Sequence, residues 1–259
     1  MGNAHPTAVT LNSQLSTPNS QLPIIAIDGP AGAGKSTVTK LVAARLGLLF
    51  LDTGAMYRAI AWLVLEANLA LDREQEIAEL VSQAKIVLTG TQVVVNGIDV
   101  TEVIRSPAVT SKVSAIAALG VVRVELVKQQ QAIGAQGGIV AEGRDMCSHV
   151  FPDAQVKIFL TASVQERARR RQMDLVDGGQ GEFSLEQLER SIAERDLIDS
   201  TREISPLKKA DDAVEIISDN LTIDEVVDRI VNMYQQAIDS NPNPAQKLGI
   251  SDWITNQDY

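Results

Sequence analysis

The sequence predicts an α/β protein with a parallel β-sheet flanked by helices. Short apolar runs alternate with segments of helical periodicity, which is the pattern of βαβ units. The run at residues 48–51 is apolar throughout, as expected of a strand buried in a parallel sheet. A glycine-rich segment joins the first apolar run to the first helix. These three observations favour parallel strands joined by helical crossovers.

The glycine-rich segment indicates which class of parallel-sheet fold the chain adopts. Gly29, Gly34, Lys35 and Ser36 satisfy the pattern G-x-x-x-x-G-K-[ST], with a strand before it and a helix after it. Such a loop and helix N-terminus bind phosphate, and the pattern predicts Lys35 on the outer phosphates and Ser36 on a metal ion. The sequence therefore predicts a P-loop NTPase-type fold with a nucleoside triphosphate bound at Gly29, Pro30, Ala31, Gly32, Ala33, Gly34, Lys35, Ser36 and Thr37.

Composition limits the possible partners. The net charge of −10 argues against broad binding of nucleic acids or membranes, and no apolar run approaches the roughly 20 residues of a membrane span. Residues 1–22 lack charged residues and an apolar core segment, so they are expected to be a disordered lead-in and not a signal peptide. The single cysteine, Cys147, cannot form an intrachain disulfide. A reducing cytoplasm is the expected compartment.

The first βαβ unit continues beyond the loop. Helical periodicity predicts a helix over residues 35–46 that ends at Gly47, followed by the strand at 48–51. Thr53 is the predicted N-cap of a helix that runs to about residue 68. That helix places Tyr57 and Arg58 at the carboxyl end of a strand, where ligands of open α/β sheets bind. Arg58 is thus a candidate for a second anion, and the alternative is a surface arginine beside a half-buried tyrosine.

The middle of the chain interrupts this alternation. A helix over residues 72–84 is followed by short alternating strands at 85–89, 92–95 and 98–100, with Asn96-Gly97 as a hairpin turn. This antiparallel meander is predicted to be an insertion. Ser106-Pro107 starts a helix that ends near residue 119, Gly120 breaks it, and a second helix covers 121–135.

A third core strand, residues 139–141, ends in Glu142-Gly143-Arg144-Asp145. A carboxylate at a strand end near a phosphate loop is a typical ligand of metal-bound water, so Glu142 is a candidate for that role. The alternative is a structural turn.

Arginine-rich helices follow the fourth strand, residues 156–160. Ser163 and Glu166 form a predicted capping box on a helix that carries four arginines, and Ser184 and Gln187 cap the next helix after a break at 177–181. On that second helix Arg195, Asp199 and Arg202 share one face. They form either a solvated ion-pair stripe or part of a lid that closes over a polyphosphate. A last strand at 213–217 and a helix capped by Thr222 and Glu225 end the domain near residue 238, before a tail at 239–259.

Several motifs in this order resemble bacterial-type cytidylate kinase over nearly all of residues 24–236. The matching blocks are Ile27-Asp28-Gly29-Pro30, Leu51-Asp52-Thr53-Gly54-Ala55-Met56-Tyr57-Arg58, Gly143-Arg144-Asp145-Met146, Phe151-Pro152-Asp153-Ala154 and Glu194-Arg195-Asp196. The resemblance implies a nucleoside monophosphate kinase domain at 23–238. Its NMP-binding insert would cover about 72–120, and its helical lid about 167–202.

The resemblance also implies residue roles. The CMP site would be lined by Thr53, Tyr57, Arg58, Ser114, Arg123, Arg144, Asp145, Arg195, Asp199 and Arg202. Of these, Arg58, Arg144 and Arg202 would bind the phosphate, Ser114, Arg123 and Asp145 the cytosine edge, and Arg195 and Asp199 the ribose. Lys35, Arg144, Arg195 and Arg202 would be catalytic, and Arg167 and Arg170 would join the ATP site. Ser36, and Glu142 through water, would hold Mg²⁺.

The implied activity is ATP-dependent phosphorylation of CMP and dCMP to CDP and dCDP in pyrimidine nucleotide metabolism. A monomer is expected because the sequence leaves no exposed apolar helix face over. Two departures from the family pattern stand out: Glu142 replaces the aspartate of some relatives, and Cys147-Ser148-His149 replaces Gly-Thr-Val. The alternatives are a kinase for UMP, AMP or shikimate, or a switch protein that hydrolyses nucleotide slowly. The chain lacks the Asn-Lys-x-Asp guanine-reading motif of GTP-dependent switches.

Overall fold

The computed structural model describes residues 22–90, 92–135, 137–177 and 183–240. Within them the strands are β1 (Ile25–Asp28), β2 (Leu49–Asp52), β3 (Ile86–Leu88), β4 (Val93–Val95), β5 (Ile98–Asp99), β6 (Ile139–Gly143), β7 (Val156–Thr161) and β8 (Val214–Ile217). The helices are α1 (Lys35–Leu46), α2 (Thr53–Glu66), α3 (Glu74–Gln83), α4 (Pro107–Ala118), α5 (Gly120–Gly134), α6 (Val164–Asp177), α7 (Leu185–Thr201) and α8 (Ile223–Ser240).

The central sheet has five strands in the order β2-β6-β1-β7-β8, and every neighbouring pair is parallel. This confirms the predicted α/β class. Asp28 of β1 pairs with Gly143 of β6, and Asp52 of β2 pairs with Glu142. The carboxyl ends of these three strands therefore meet at one edge of the sheet, beside the glycine-rich loop.

Two apolar layers cover the sheet because the side chains of each strand alternate between its faces. Ala26 of β1 packs in one layer with Ile60 of α2 and Leu126 of α5. Its neighbours Ile25 and Ile27 point into the other layer, which contains residues of α1 and α8. None of the helices in the described residues is long and apolar enough to cross a bilayer.

The predicted antiparallel meander is confirmed as a separate sheet, β3-β4-β5. Asn96 and Gly97 both have positive φ, 52° and 84°, as a type I′ hairpin turn requires. The meander packs its inner valines and Ile104 against Ala55 and Ala59 of α2. The insertion thus rests on the helix that carries Tyr57 and Arg58.

Several local predictions were wrong. Gly120 does not separate the two helices, since Leu119 lies between them and Gly120 is the first residue of α5. Asp52, not Thr53, caps α2, and its Oδ1 accepts a hydrogen bond from the Ala55 amide at 2.9 Å. Strand β2 begins one residue later than predicted and is only partly buried, since it lies at the sheet edge and leaves Leu49 39% exposed. Arg202 lies beyond the end of α7, as its C-cap, and not on the helix.

Of the three predicted capping boxes, two form completely and one forms only in part. The boxes Ser184–Gln187 and Thr222–Glu225 form completely. At Ser163 only half of the box exists: its hydroxyl accepts from the Glu166 amide, but the Glu166 carboxylate binds Arg169 and Arg170 instead. Helix α8 reaches Ser240, two residues past the predicted domain end. The predicted tails lie outside the described residues apart from residues 22, 239 and 240. Of the predicted break at 177–181, Asp177 is still the last residue of α6, and residues 178–181 lie outside the described residues.

Candidate active site

The glycine-rich loop turns tightly between β1 and α1. Gly29 has φ 152°, and a Cβ there would lie 1.9 Å from the carbonyl oxygen of Leu160. Gly32 and Gly34 also have positive φ, 77° and 86°, and Gly34 is the N-cap of α1. The loop backbone therefore needs glycine, and it brings the N-terminus of α1 to the carboxyl edge of the sheet.

The Lys35 ammonium group folds back over this loop. Its Nζ donates to the carbonyl oxygens of Gly29 and Pro30, each at 2.8 Å. Burial lowers the pKa of Lys35, and the positive charges of Arg144 and Arg195 lower it further, while Glu142 opposes them. A buried ammonium next to two arginines is an environment that an anion would stabilise.

Glu142 lies at the end of β6, facing the same loop. It is buried, and its Oε1 has no hydrogen-bond partner among the described residues. Burial raises the pKa of Glu142, the nearby Asp52 raises it further, and Lys35 and the Ser36 side chain act in the opposite direction. The carboxylate thus has an unused ligand atom beside Ser36.

A cavity opens next to the loop, and all ten residues predicted for the acceptor site line it. They are Thr53, Tyr57, Arg58, Ser114, Arg123, Arg144, Asp145, Arg195, Asp199 and Arg202. Gly54, Val113, Ala117 and Gly143 also line it. Sequence reasoning missed these four as site residues: Gly54 and Gly143 belong to the quoted family blocks but have no side-chain chemistry, and Val113 and Ala117 are apolar residues of α4.

One end of the cavity contains a buried ion pair. Arg123 pairs with Asp145, and both side chains are at most 3% exposed. Arg123 also donates to the Ala117 carbonyl at 3.2 Å, and its guanidinium carbon lies 5.4 Å from the centroid of the Tyr57 ring. The pair therefore offers a fixed carboxylate and a fixed guanidinium group next to an aromatic face.

Other residues that line the cavity carry positive charge, and one of them, Arg202, lies beside the ion pair with its Nη2 3.8 Å from Asp145 Oδ1. Arg58 donates to Thr110 Oγ1 at 2.8 Å, and Arg144 donates to Asp199 at 2.9 Å. Burial lowers the pKa of Arg58 and of Arg195 to about 10, and neighbouring arginines contribute to both shifts. Such mutual repulsion is relieved when an anion binds, so the cluster is chemically suited to a phosphate.

Two further arginines lie against the loop from α6. Arg167 donates to the carbonyls of Ala31 and Ala162 at 3.0 Å and pairs with Asp196 of α7 at 2.7 Å. Arg170 donates to the Ser218 carbonyl at 2.8 Å and to Ala33 at 3.4 Å. Both are beside the predicted ATP site, where their donors bind protein groups; contact with ATP stays a prediction.

The family is decided by comparison with known proteins. The family model described as cytidylate kinase matches residues 25–236. The chain belongs to the cytidylate kinase family. Over 223 residues it is 62% identical to a bifunctional pantoate ligase/cytidylate kinase from a Nostoc species. The matched region covers 83% of this chain and 42% of that relative. It is 60% identical over 224 residues to the Synechocystis protein of the same name, with coverages of 84% and 44%.

This cytidylate kinase family member thus spans less than half the length of the curated relatives it matches. The family resemblance of residues 24–236 is confirmed. The unusual segment Cys147-Ser148-His149 forms a π-helical turn, Met146–Val150. The Asp28 carboxylate holds this turn by accepting from the Met146 and Cys147 amides, both at 2.8 Å. His149 contacts Ser148 in an exposed position and does not line the cavity.

Proposed function

We propose that the chain transfers a phosphoryl group from ATP to CMP and dCMP, giving ADP with CDP or dCDP. The observation that carries the proposal is the buried Arg123–Asp145 pair in a cavity that is also lined by a cluster of arginines. A nucleoside monophosphate has the matching polarity, with a hydrogen-bonding base at one end and a phosphate at the other. The printed names of the relatives support cytidylate as the acceptor.

The base-binding chemistry follows from the donors and acceptors of the cavity. Cytosine presents an exocyclic amine, which needs an acceptor, and a carbonyl, which needs a donor. Asp145 and Ser114 supply acceptors, and Arg123 supplies the donor. Uracil presents an oxygen where cytosine has the amine, so the carboxylate of Asp145 would repel it.

The transfer step needs alignment and charge neutralisation more than a general base. The second pKa of a phosphate monoester is about 6, so the acceptor phosphate is mostly a dianion at pH 7 and is already nucleophilic. Two anions must be brought together, and the charge spreads over the transferred group. Lys35 on the donor side and Arg144, Arg195 and Arg202 on the acceptor side are the proposed catalytic residues, with Arg58 binding the acceptor phosphate.

The residues beside the loop fit Mg²⁺. Among the described residues no group of three or more His, Cys, Asp or Glu side chains is arranged to hold a metal. That suits Mg²⁺ in phosphoryl-transfer sites, which keeps water and phosphate oxygens as most of its ligands. Ser36 would be a direct ligand, and the unpaired Oε1 of Glu142 would accept from metal-bound water. The ion would neutralise charge on the donor phosphates.

The domain boundaries remain part of this proposal. The kinase domain covers 23–238, its NMP-binding insert about 72–120 and its lid about 167–202. The Arg167–Asp196 pair, which joins α6 to α7 beside the loop, supports the lid assignment. ATP contacts from Arg167 and Arg170, a cytoplasmic location and a monomeric state belong to the same proposal.

The base-reading assignment is tested with Asp145→Asn and Arg123→Lys. Each variant should lower the ratio of kcat/KM for CMP to that for UMP by about tenfold or more, because hydrogen bonds to charged groups contribute about 1.5–3 kcal/mol. Asp153→Asn is the matched control: Asp153 is exposed, and the ratio should not change.

Folding must be measured in parallel, since breaking a buried ion pair costs about 3–5 kcal/mol. Circular dichroism and thermal unfolding identify variants that remain folded at the assay temperature. If both folded variants keep the wild-type preference for CMP over UMP, Arg123 and Asp145 do not read the base.

A further inference from the structure

A buried amide lies behind the acceptor cavity. Gln130 of α5 is 0% exposed, and neither Oε1 nor Nε2 has a hydrogen-bond partner among the described residues. The Tyr57 hydroxyl and Arg123 Nε are also buried without a hydrogen-bond partner among the described residues. Buried polar atoms nearly always have partners, and an unpaired one costs about 1–3 kcal/mol. An amide in this position therefore calls for a role that an apolar side chain could not fill.

Gln130 is placed to act on Tyr57. It lies seven residues after Arg123, which is two helical turns, so the two side chains share one face of α5. Arg123 itself extends toward the N-terminus of α5, where it reaches the Ala117 carbonyl, so Gln130 lies behind it on this face. The Gln130 side chain is near enough to Tyr57 to lower its pKa, which burial raises to about 12, although the two groups do not meet hydrogen-bond geometry in this structure.

Tyr57 connects this amide to the base-reading pair. Its ring is 7% exposed and lies against the Arg123 guanidinium group, 5.4 Å from the guanidinium carbon to the ring centroid. Arg123 in turn holds Asp145. Tyr57, Arg123 and Asp145 line the cavity, whereas Gln130 does not. Gln130 therefore does not touch a bound base itself, and the unpartnered Tyr57 hydroxyl gives it a route to the base-reading pair.

We propose that Gln130 is a positioning residue for base selection, which rests on the proposed function. Its amide holds the Tyr57 hydroxyl, directly or through one buried water, and the fixed ring supports the Arg123 guanidinium group. A firmly placed Arg123 keeps the Asp145 carboxylate in the orientation that accepts from the cytosine amine. Without the amide the ring and the pair can reorient, and uracil is excluded less strictly.

The test is Gln130→Met, which keeps the length of the side chain but removes both polar atoms. The ratio of kcat/KM for CMP to that for UMP should fall about three- to tenfold, the worth of one hydrogen bond. The KM for CMP should carry most of the change, and the KM for ATP should stay unchanged. Gln129→Met is the matched control, because Gln129 is on the same helix and, among the described residues, its amide bonds only Glu125, at 3.2 Å.

Tyr57→Phe decides whether Gln130 acts through the hydroxyl. This variant should lower the CMP/UMP ratio by a similar factor, and adding Gln130→Met to it should cause no further loss. An unchanged ratio in folded Gln130→Met, or independent losses in the double variant, overturns the proposal. If Gln130→Met does not fold, an unchanged ratio in Tyr57→Phe overturns it equally.

Failure of the proposed function has a different signature. A wild-type protein that phosphorylates neither CMP nor dCMP contradicts the function and, with it, the role of Gln130. A wild-type protein that prefers CMP, with variants that share its preference, contradicts the role of Gln130 alone.

Discussion

At the scale of single residues, Asp28 links the loop to the acceptor cavity. It ends β1 immediately before Gly29, yet its carboxylate accepts from two backbone amides in the turn after Asp145. The cost of this arrangement is desolvation: burial raises the pKa of Asp28 to about 6, although the two amide hydrogen bonds lower it. The Asp28 carboxylate therefore fixes the turn, while its burial disfavours its ionised form.

This cost predicts a pH dependence of stability. The pKa of Asp28 is 3.8 in the unfolded chain and about 6 in the folded one, so the folded state binds more protons between these values. Its contribution to stability is complete below about pH 4 and is lost as the pH rises through 6, by up to about 3 kcal/mol. Asp28→Asn removes this contribution, because an amide does not titrate.

Urea unfolding of the two proteins between pH 4 and pH 7 measures the effect. The wild type should lose stability relative to Asp28→Asn across this interval, and Asp153→Asn should run parallel to the wild type. If the free energies of unfolding of the wild type and Asp28→Asn keep a constant difference, the carboxylate is not destabilised by burial.

At the scale of elements, local patterns predicted what depends on local chemistry. The stop of α1 at Gly47 and the Asn96-Gly97 turn follow from residues that tolerate positive φ, and both are confirmed. The wrong predictions concern features that depend on residues distant in the sequence or on competing side-chain contacts. Leu49 is exposed because β2 is an edge strand, and strand order cannot be deduced from an apolar run. The Glu166 carboxylate accepts hydrogen bonds from Arg169 and Arg170 and so does not complete the capping box with Ser163.

The loop between β1 and α1 gives a prediction at this scale. Gly29→Ala should abolish ATP binding and destabilise the fold, because the added Cβ would lie 1.9 Å from the Leu160 carbonyl oxygen, a backbone atom of β7. Gly90→Ala is the control, since a Cβ there meets nothing within 4 Å. Isothermal titration with ATP and thermal unfolding compare the two. Normal ATP binding by Gly29→Ala would contradict the tight approach of loop and strand.

At the scale of the whole molecule, the cavity collects residues from distant parts of the chain. The sheet rule explains why Thr53 and Asp145 meet, since both follow strands that end at the same edge. It does not place Arg123, which comes from α5, or Asp199, which comes from α7. Arg123 was predicted from the family resemblance alone, and Asp199 from a helix face that the sequence left open as a solvated stripe or a lid, with its substrate role coming from the resemblance. The net charge of −10 was equally uninformative, because the arginines are concentrated around one cavity.

The central claim is that the loop and the cavity form the two halves of one phosphoryl-transfer site. Arg144 and Arg195 support it, because both lower the pKa of Lys35 and both line the cavity. The most direct measurement is ADP release from ATP and Mg²⁺ in the presence of CMP, dCMP, UMP, AMP, shikimate or no acceptor, with folded Lys35→Ala as the control. The account predicts release that depends on CMP or dCMP, produces CDP or dCDP in equal amount, and falls at least a hundredfold in Lys35→Ala, about 2.7 kcal/mol. ADP release at the same rate without an acceptor, or a normal rate in Lys35→Ala, would contradict it.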